Sequence, residues 1–338
     1  MTGQQRGNGS LLFMHKLETD FASMDDTLSA SEWIKQQYNV SAKAGRGTYG
    51  KTFLTENVFL PPEPEKGIAL RVGSQITSLR AISSAEVDTS RTDMFWGSYR
   101  ATMKLSRVGG TCAAFFWYFN DTQEIDMEFL SREFDEANGV FPVNLVIHSS
   151  LSAKAGYDAS KTGTFKVMNL TFDPTKDFHE YRFDYLPGQV YFYADGQSLG
   201  EMKGDNVPTN GGHVILQHWS NGNQLWSGGP PSSDAVILVK SVEAYFNSSD
   251  AKNREDWHNT CRAHGAKGTV CAVPETAPAA ATGQVDDPSH DDGKAGSHHE
   301  GEENGSHRAP RARSLKTVLV PVVAVYTLLM GAPMLGLG

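Results

Sequence analysis

Within QEIDMEFL, residues Gln123 to Leu130, acidic and apolar side chains alternate from Glu124 to Phe129 without a break. A period of two belongs to a β-strand, whose successive side chains point to opposite faces. On that reading Ile125, Met127 and Phe129 pack inward, while Glu124, Asp126 and Glu128 share the other face. A solvated outer face is a weak explanation for the acids. Like charges on consecutive same-face positions repel one another, and acidic residues are poor strand formers.

The same reading extends outward. GIALRV, SYRATMKLS, TCAAFFWYF, NLVIHSS, GTFKVMNLTF, EYRFDYL, QVYFYADG, HVILQHW and AVILVKSVEAYF are short alternating or apolar runs broken by Gly, Pro, Asn and Asp. Many short strands separated by turn signals predict an all-β sandwich or barrel. The pair around Asp195-Gly196 predicts a hairpin. DDTLSASEWIKQQY (25–38) carries a helix-like apolar spacing, and SREFDEA (131–137) suggests one turn of helix.

Two chemistries use clustered carboxyls. Ca²⁺ takes oxygen ligands, but acids at every second position of a rigid strand do not wrap a cation as a loop does. Glycoside hydrolysis needs two carboxyls at a set separation. Cα atoms four residues apart on a strand are about 13 Å apart. Two Glu arms leaning inward along a concave strand could close this to the roughly 5–5.5 Å of a retaining enzyme. The shorter Asp126 between them can hydrogen-bond one Glu and hold its charge state.

EIDMEF resembles the E-x-D-x-E strand of glycoside hydrolase family 16, the β-glucanases and related transglycosylases. Residues 95–119 (FWGSYRATMKLSRVGGTCAAFFWYF) resemble the family's strand pair ahead of the acids. FDPTKDFHEYRFDYLPGQVYFYADG (172–196), HVILQHWSNGNQLWSGG (213–229) and SVEAYF (241–246) follow in the family's order, so the likeness covers roughly residues 50–247. It implies a concanavalin-like jelly-roll sandwich with a concave substrate cleft. By the same resemblance Glu124 is expected as the nucleophile, Glu128 as the general acid/base and Asp126 as the partner of Glu124. Phe116, Tyr118, Gln217, Trp219 and Trp226 are expected to contact sugar, Trp117 to face the core, and His179 to be structural. Some members carry an acid and an Arg two apart after Y-G-x-Y. Arg100 and Thr102 occupy those places here, which bears on the substrate. The expected activity is a retaining endo-β-glucanase acting on cell-wall β-1,3 or mixed β-1,3/1,4-glucan. A transglycosylase with the same first step is the alternative, and an inactive glucan-binding wall protein a third reading. No cofactor is required, a structural Ca²⁺ is an option, and a monomer is expected.

Charge and ends add context. With a net charge of −9 and a pI near 5.7, the chain lacks the basic footprint of a nucleic-acid binder. The expected organisation is a polar segment 1–25, a hydrolase domain 26–250, an extension 251–273, a linker 274–314 and an apolar tail 315–338. Cys261 and Cys271 close a small loop that reads as a disulfide in an oxidising compartment. Cys112 is left over, either as a buried free thiol or with its partner lost from the N-terminus. The linker lacks large apolar residues and reads as disordered, and its His298–His299 pair as solvated rather than metal-binding. The tail TVLVPVVAVYTLLMGAPMLGLG (317–338) is a membrane span or the disposable end of a GPI-attachment signal. Asn304-Gly305-Ser306 followed by a ten-residue polar spacer favours the second. A cell-surface glycoprotein is therefore expected, and Asn39, Asn120, Asn169 and Asn247 lie in sequons. No signal peptide is visible, so an imperfectly assigned N-terminus is expected as well.

Overall fold

In the computed structural model, residues 2–6, 9–24, 28, 32–263 and 271–272 are described. Two stacked sheets dominate it. In the site sheet the strands run, edge to edge, Phe165–Asn169, Pro142–Ser149, Gln123–Leu130, Cys112–Asn120, His213–Trp219, Ala81–Thr89, Gly50–Phe53 and Tyr38–Val40, with Trp33–Lys35 also paired to Ala81–Thr89. In the outer sheet they run Gln197–Lys203, Gln189–Ala194, His179–Leu186, Met94–Lys104, Ala235–Ser248, Ile68–Val72 and Val58–Phe59. This is the jelly-roll sandwich expected from the sequence.

Alternation decides what lies between the sheets. Ile125, Met127 and Phe129 are at most 1% exposed and join the main core with Phe115, Trp117, Phe183 and Tyr185. Phe129 meets Tyr181 of the outer sheet edge-on, with ring centroids 4.6 Å apart, and Trp117 meets Tyr185 at 5.0 Å. Full burial of such side chains contributes about 1.5–3 kcal/mol each. Trp117 faces the core as expected, and its indole N–H donates to the Met94 carbonyl at 2.9 Å. The hairpin closes at Asp195 and Gly196, whose φ values of 47° and 72° suit a two-residue turn with left-handed backbone at both positions.

Three expectations need correction. The helix-like spacing of 25–38 does not give a helix across its second half: Trp33–Lys35 is a strand, and Tyr38 begins another. Pairing with Thr89 to Val87 overrides local spacing there, and the Trp33 indole N–H donates to Thr19 Oγ1 at 3.0 Å. The segment before residue 26 is not separate from the sandwich, because His15–Asp20 pairs antiparallel with residues 241–246 of Ala235–Ser248. The extension after residue 250 begins with an α-helix, Ala251–Ala263, that the sequence reading missed. SREFDEA contributes one 3₁₀ turn, Ser131–Glu133.

The backbone of Cys271–Ala272 pairs with Thr2–Gly3. The side chains of Cys261 and Cys271 lie outside the described residues, as do the linker with His298 and His299 and the apolar tail. Among the described residues no helix is long and apolar enough to cross a membrane.

Candidate active site

On the face of the site sheet turned away from the core, the register sets side chains in rows. His148, Glu124, Tyr118 and His213 form one row, and Val146, Asp126, Phe116, Ile215 and Asp88 the next. Asn144, Glu128, Ala114, Gln217 and Glu86 form a third, followed by Leu130, Cys112 and Trp219. The three acids expected to act together are therefore central, one per row. Phe116, Tyr118, Gln217 and Trp219 stand on the same face. Trp226 arrives from the loop after His213–Trp219, and its indole N–H donates to Glu128 Oε1 at 3.5 Å. Phe165, on the sheet's edge strand, packs against Trp226 at 6.4 Å.

Burial sets the charge state. Glu124, Asp126 and Glu128 are at most 8% exposed. Burial pushes the proton affinity of all three above the ordinary carboxylate range, and charge repulsion among the acids raises Glu124 and Asp126 further. The hydrogen bond between Asp126 and Glu124 favours the proton on Asp126 and the negative charge on Glu124. Around Glu128, donation from the Cys112 thiol and the Trp226 indole, together with the charge of Lys51, tempers the effect of burial. His148 Nε2 lies 3.9 Å from Asp126 Oδ2. Burial, then the charge of Arg46, holds its imidazole down to about 3, so it stands there neutral.

Several members of this face escaped the sequence reading. Lys51 is fully buried, lies 4.5 Å over the ring of Trp219, and its Nζ makes no hydrogen bond among the described residues. Burial lowers its proton affinity, against the charges of Glu86, Glu128 and Glu124. Glu86 Oε2 accepts hydrogen bonds from Gln217 Nε2 and, at 2.8 Å, from Tyr38 Oη. A signal for Glu86 was present, since Ser84, Glu86 and Asp88 alternate through AISSAEVDT as the three acids do. Lys51 had none, because a single Lys in GKTF reads as ordinary surface.

Arg100 and Thr102 require a correction. They belong to outer-sheet strand Met94–Lys104, whose Tyr99 and Ala101 face the core, so both point away from the acids. Arg100 lies 3.8 Å from Glu180. Their identity therefore carries no information about this site. His179 is structural: its ring stacks on Phe172 at 3.6 Å, and Nδ1 is 2.7 Å from Asp195 Oδ2. Cys112 is a buried free thiol. Among the described residues no group of three His, Cys, Asp or Glu side chains is arranged to hold a metal ion.

The chemistry this face offers is specific. Glu124 Oε2, Asp126 Oδ2, Glu86 Oε1 and Lys51 Nζ are buried without hydrogen-bond partners among the described residues, beside aromatic rings. Buried polar atoms are costly when unpaired, and a ligand rich in hydroxyls would pair them. Burial raises Glu124 to about 8 and Glu128 to about 7, and the hydrogen bond from Asp126 is what draws Glu124 back towards the ionised form a nucleophile needs.

A pair of carboxyl side chains on one buried face is what the cleavage of glycosidic bonds uses, and the chain's relatives are of that class. Residues 36–235 match Glycosyl hydrolases family 16, and the chain belongs to that family. It is 29% identical over 139 residues to the Beta-glucanase of Paenibacillus polymyxa, covering 39% of this chain and 52% of that protein. It is 27% identical over 191 residues to Crh-like protein 3 of Botryotinia fuckeliana, covering 53% of this chain and 38% of that protein. The chain thus spans about half the length of the bacterial relative, 52%. Among solved structures, the Bacillus licheniformis beta-glucanase superposes with a TM-score of 0.53 at 20% identity, over 68% of this chain and 97% of that one.

Proposed function

We propose that the chain is a retaining endo-β-glucanase acting on β-1,3 or mixed β-1,3/1,4-glucan of cell walls. The observation that carries this reading is the placement of Glu124, Asp126 and Glu128 on one buried face, with the proton favoured on Asp126 and the charge on Glu124. Glu124 attacks the anomeric carbon while Glu128 protonates the leaving oxygen. Water, deprotonated by Glu128, then releases the sugar from Glu124. Asp126 keeps its proton and stabilises the Glu124 anion before attack. The similarity to beta-glucanases supports the substrate class.

A second reading keeps the same first step, which the family's hydrolases and transglycosylases share, and the chain also matches Crh-like protein 3 over 191 residues. A sugar hydroxyl rather than water would take the glycosyl group from Glu124. We also propose attachment to the cell surface through a GPI anchor near Asn304, motivated by the small-spacer-apolar ending. Retention on membranes after treatment with a phosphoinositide-specific phospholipase would argue against it.

Two experiments test the chemistry. Product analysis on laminarin, mixed-linkage glucan and xyloglucan, with and without an acceptor oligosaccharide, separates hydrolysis from transfer. Azide separates the two glutamates. With an activated donor, Glu128→Ala should be rescued to a product of retained β configuration, and Glu124→Ala to the inverted α product. Swapped stereochemistry would reverse the roles, and wild-type activity in both variants would remove catalysis from this strand.

A further inference from the structure

Glu128 Oε1 receives two donors, neither from its own strand. The Cys112 thiol approaches it at 3.4 Å and the Trp226 indole N–H at 3.5 Å. Backbone register puts the thiol there. Ala114 stands opposite Glu128 and Cys112 opposite Leu130, so Cys112 is the diagonal neighbour of Glu128 on the same face. The thiol is fully buried, and burial followed by the Glu128 charge pushes it well above the ordinary thiol range. It therefore stays protonated and acts as a donor. Other groups also face this carboxyl. Asp126 and Glu124 lie along its own strand, Lys51 acts from Gly50–Phe53, and Glu86 stands three strands away in the same row. On the remaining side Asn144 Nδ2 donates to the Glu128 backbone carbonyl at 3.4 Å, and His148 is neutral.

We propose that Cys112 is a positioning residue for Glu128. With Trp226 its S–H occupies Oε1, so Oε2 is the oxygen that carries the proton, delivers it to the leaving group and recovers it from water. An oxygen accepting two hydrogen bonds has no lone pair free for a proton, and both donors favour the ionised form of the group they bond. The geometry does not by itself require glucan chemistry, but the role in proton delivery rests on the function proposed above.

The test uses the full-length chain with Cys112→Ala, Cys112→Ser and Trp226→Phe. Glutamates labelled with ¹³C at the side-chain carboxyl are titrated by NMR, with Glu128 assigned through Glu128→Gln, so no substrate is needed. Cys112→Ala should raise the Glu128 pKa by about half a unit to one unit, as expected for loss of a weak donor to a charged acceptor. Cys112→Ser should return it to or below the wild-type value, and Trp226→Phe should move it in the same direction as Cys112→Ala. In turnover, Cys112→Ala should slow substrates with poor leaving groups about tenfold. Aryl glycosides that need no proton should slow by no more than about twofold. An unmoved titration, or an equal loss on both substrates without rescue by Ser, overturns the proposal. A shifted titration in a protein that cleaves no glycoside would support the hydrogen bond while defeating the glucanase reading.

Discussion

Burial holds Glu128 up to about 7, above the 4.5 of an ordinary glutamate, so the native chain retains a proton that the unfolded chain gives up at lower pH. Its contribution to stability is complete below pH 4.5 and is lost as pH rises through 7. Glu128→Gln should therefore be more stable than wild type at pH 8, by on the order of 2 kcal/mol, with the gain vanishing near pH 4. Thermal melts at the two pH values check this, and an equal gain at both would exclude the proton as its cause. His218 acts in the opposite sense. It lies between the sheets, with Nδ1 2.9 Å from the Leu70 carbonyl and Nε2 2.9 Å from Thr111 Oγ1. This pairing fits a neutral ring that donates from Nδ1 and accepts at Nε2. Burial lowers it to about 4 from 6.5, so its contribution is complete above pH 6.5 and is lost as pH falls through 4. His218→Gln should flatten the acid side of the melting profile by about 2 kcal/mol between those limits. A slope as steep as wild type would assign the acid loss elsewhere, for example to His213 or His148, which are also lowered.

The acid strand hands its geometry to the loop that carries Trp226 through one residue. Arg132 sits in the 3₁₀ turn directly after Leu130, and its Nε donates to the Trp226 carbonyl at 2.5 Å. The loop is further tied by Gly228 N–H to the Asn223 carbonyl at 2.8 Å and by Trp226 N–H to the same carbonyl at 3.0 Å. Arg132→Ala should leave the sandwich folded and lower kcat/KM on glucan about tenfold, as expected for one charge-assisted hydrogen bond. Unchanged kcat/KM would mean that the loop holds its place without Arg132. Elements of this kind also show what can be read from sequence. Glu124, Asp126 and Glu128 are legible because alternation along one strand fixes both their shared face and their order. Gln217, Trp219 and Trp226 rest on family resemblance, since nothing in HVILQHW says which strand lies beside it. Gly50–Phe53 is four residues with a Gly and a Lys, and it pairs parallel with Ala81–Thr89, so local pattern does not reveal it. Trp33–Lys35 reads as helix because the indole's burial is dictated by Thr19 and Thr89, far away in sequence.

Across the whole molecule, one strand joins what the others leave apart. Ala235–Ser248 pairs with Met94–Lys104 on one side, and with both Ile68–Val72 and His15–Asp20 on the other. A chain ending at Asp234 should retain every strand of the site sheet in sequence yet show no cooperative melt by circular dichroism, because the outer sheet is then three unjoined pieces. A sharp transition in that truncated chain would show that the site sheet folds by itself. The same feature orders events in time. His15–Asp20 precedes every other strand of the two sheets in the chain, and its partner, residues 241–246, is made more than two hundred residues later. Non-local pairings of this kind are slow to form. Until Ala235–Ser248 has emerged, the apolar backs of both sheets lack the strand that registers one half of the outer layer to the other. Completion of the sandwich must therefore wait for Ala235–Ser248, and His15–Asp20, the earliest strand of the two sheets, is among the last to find its place.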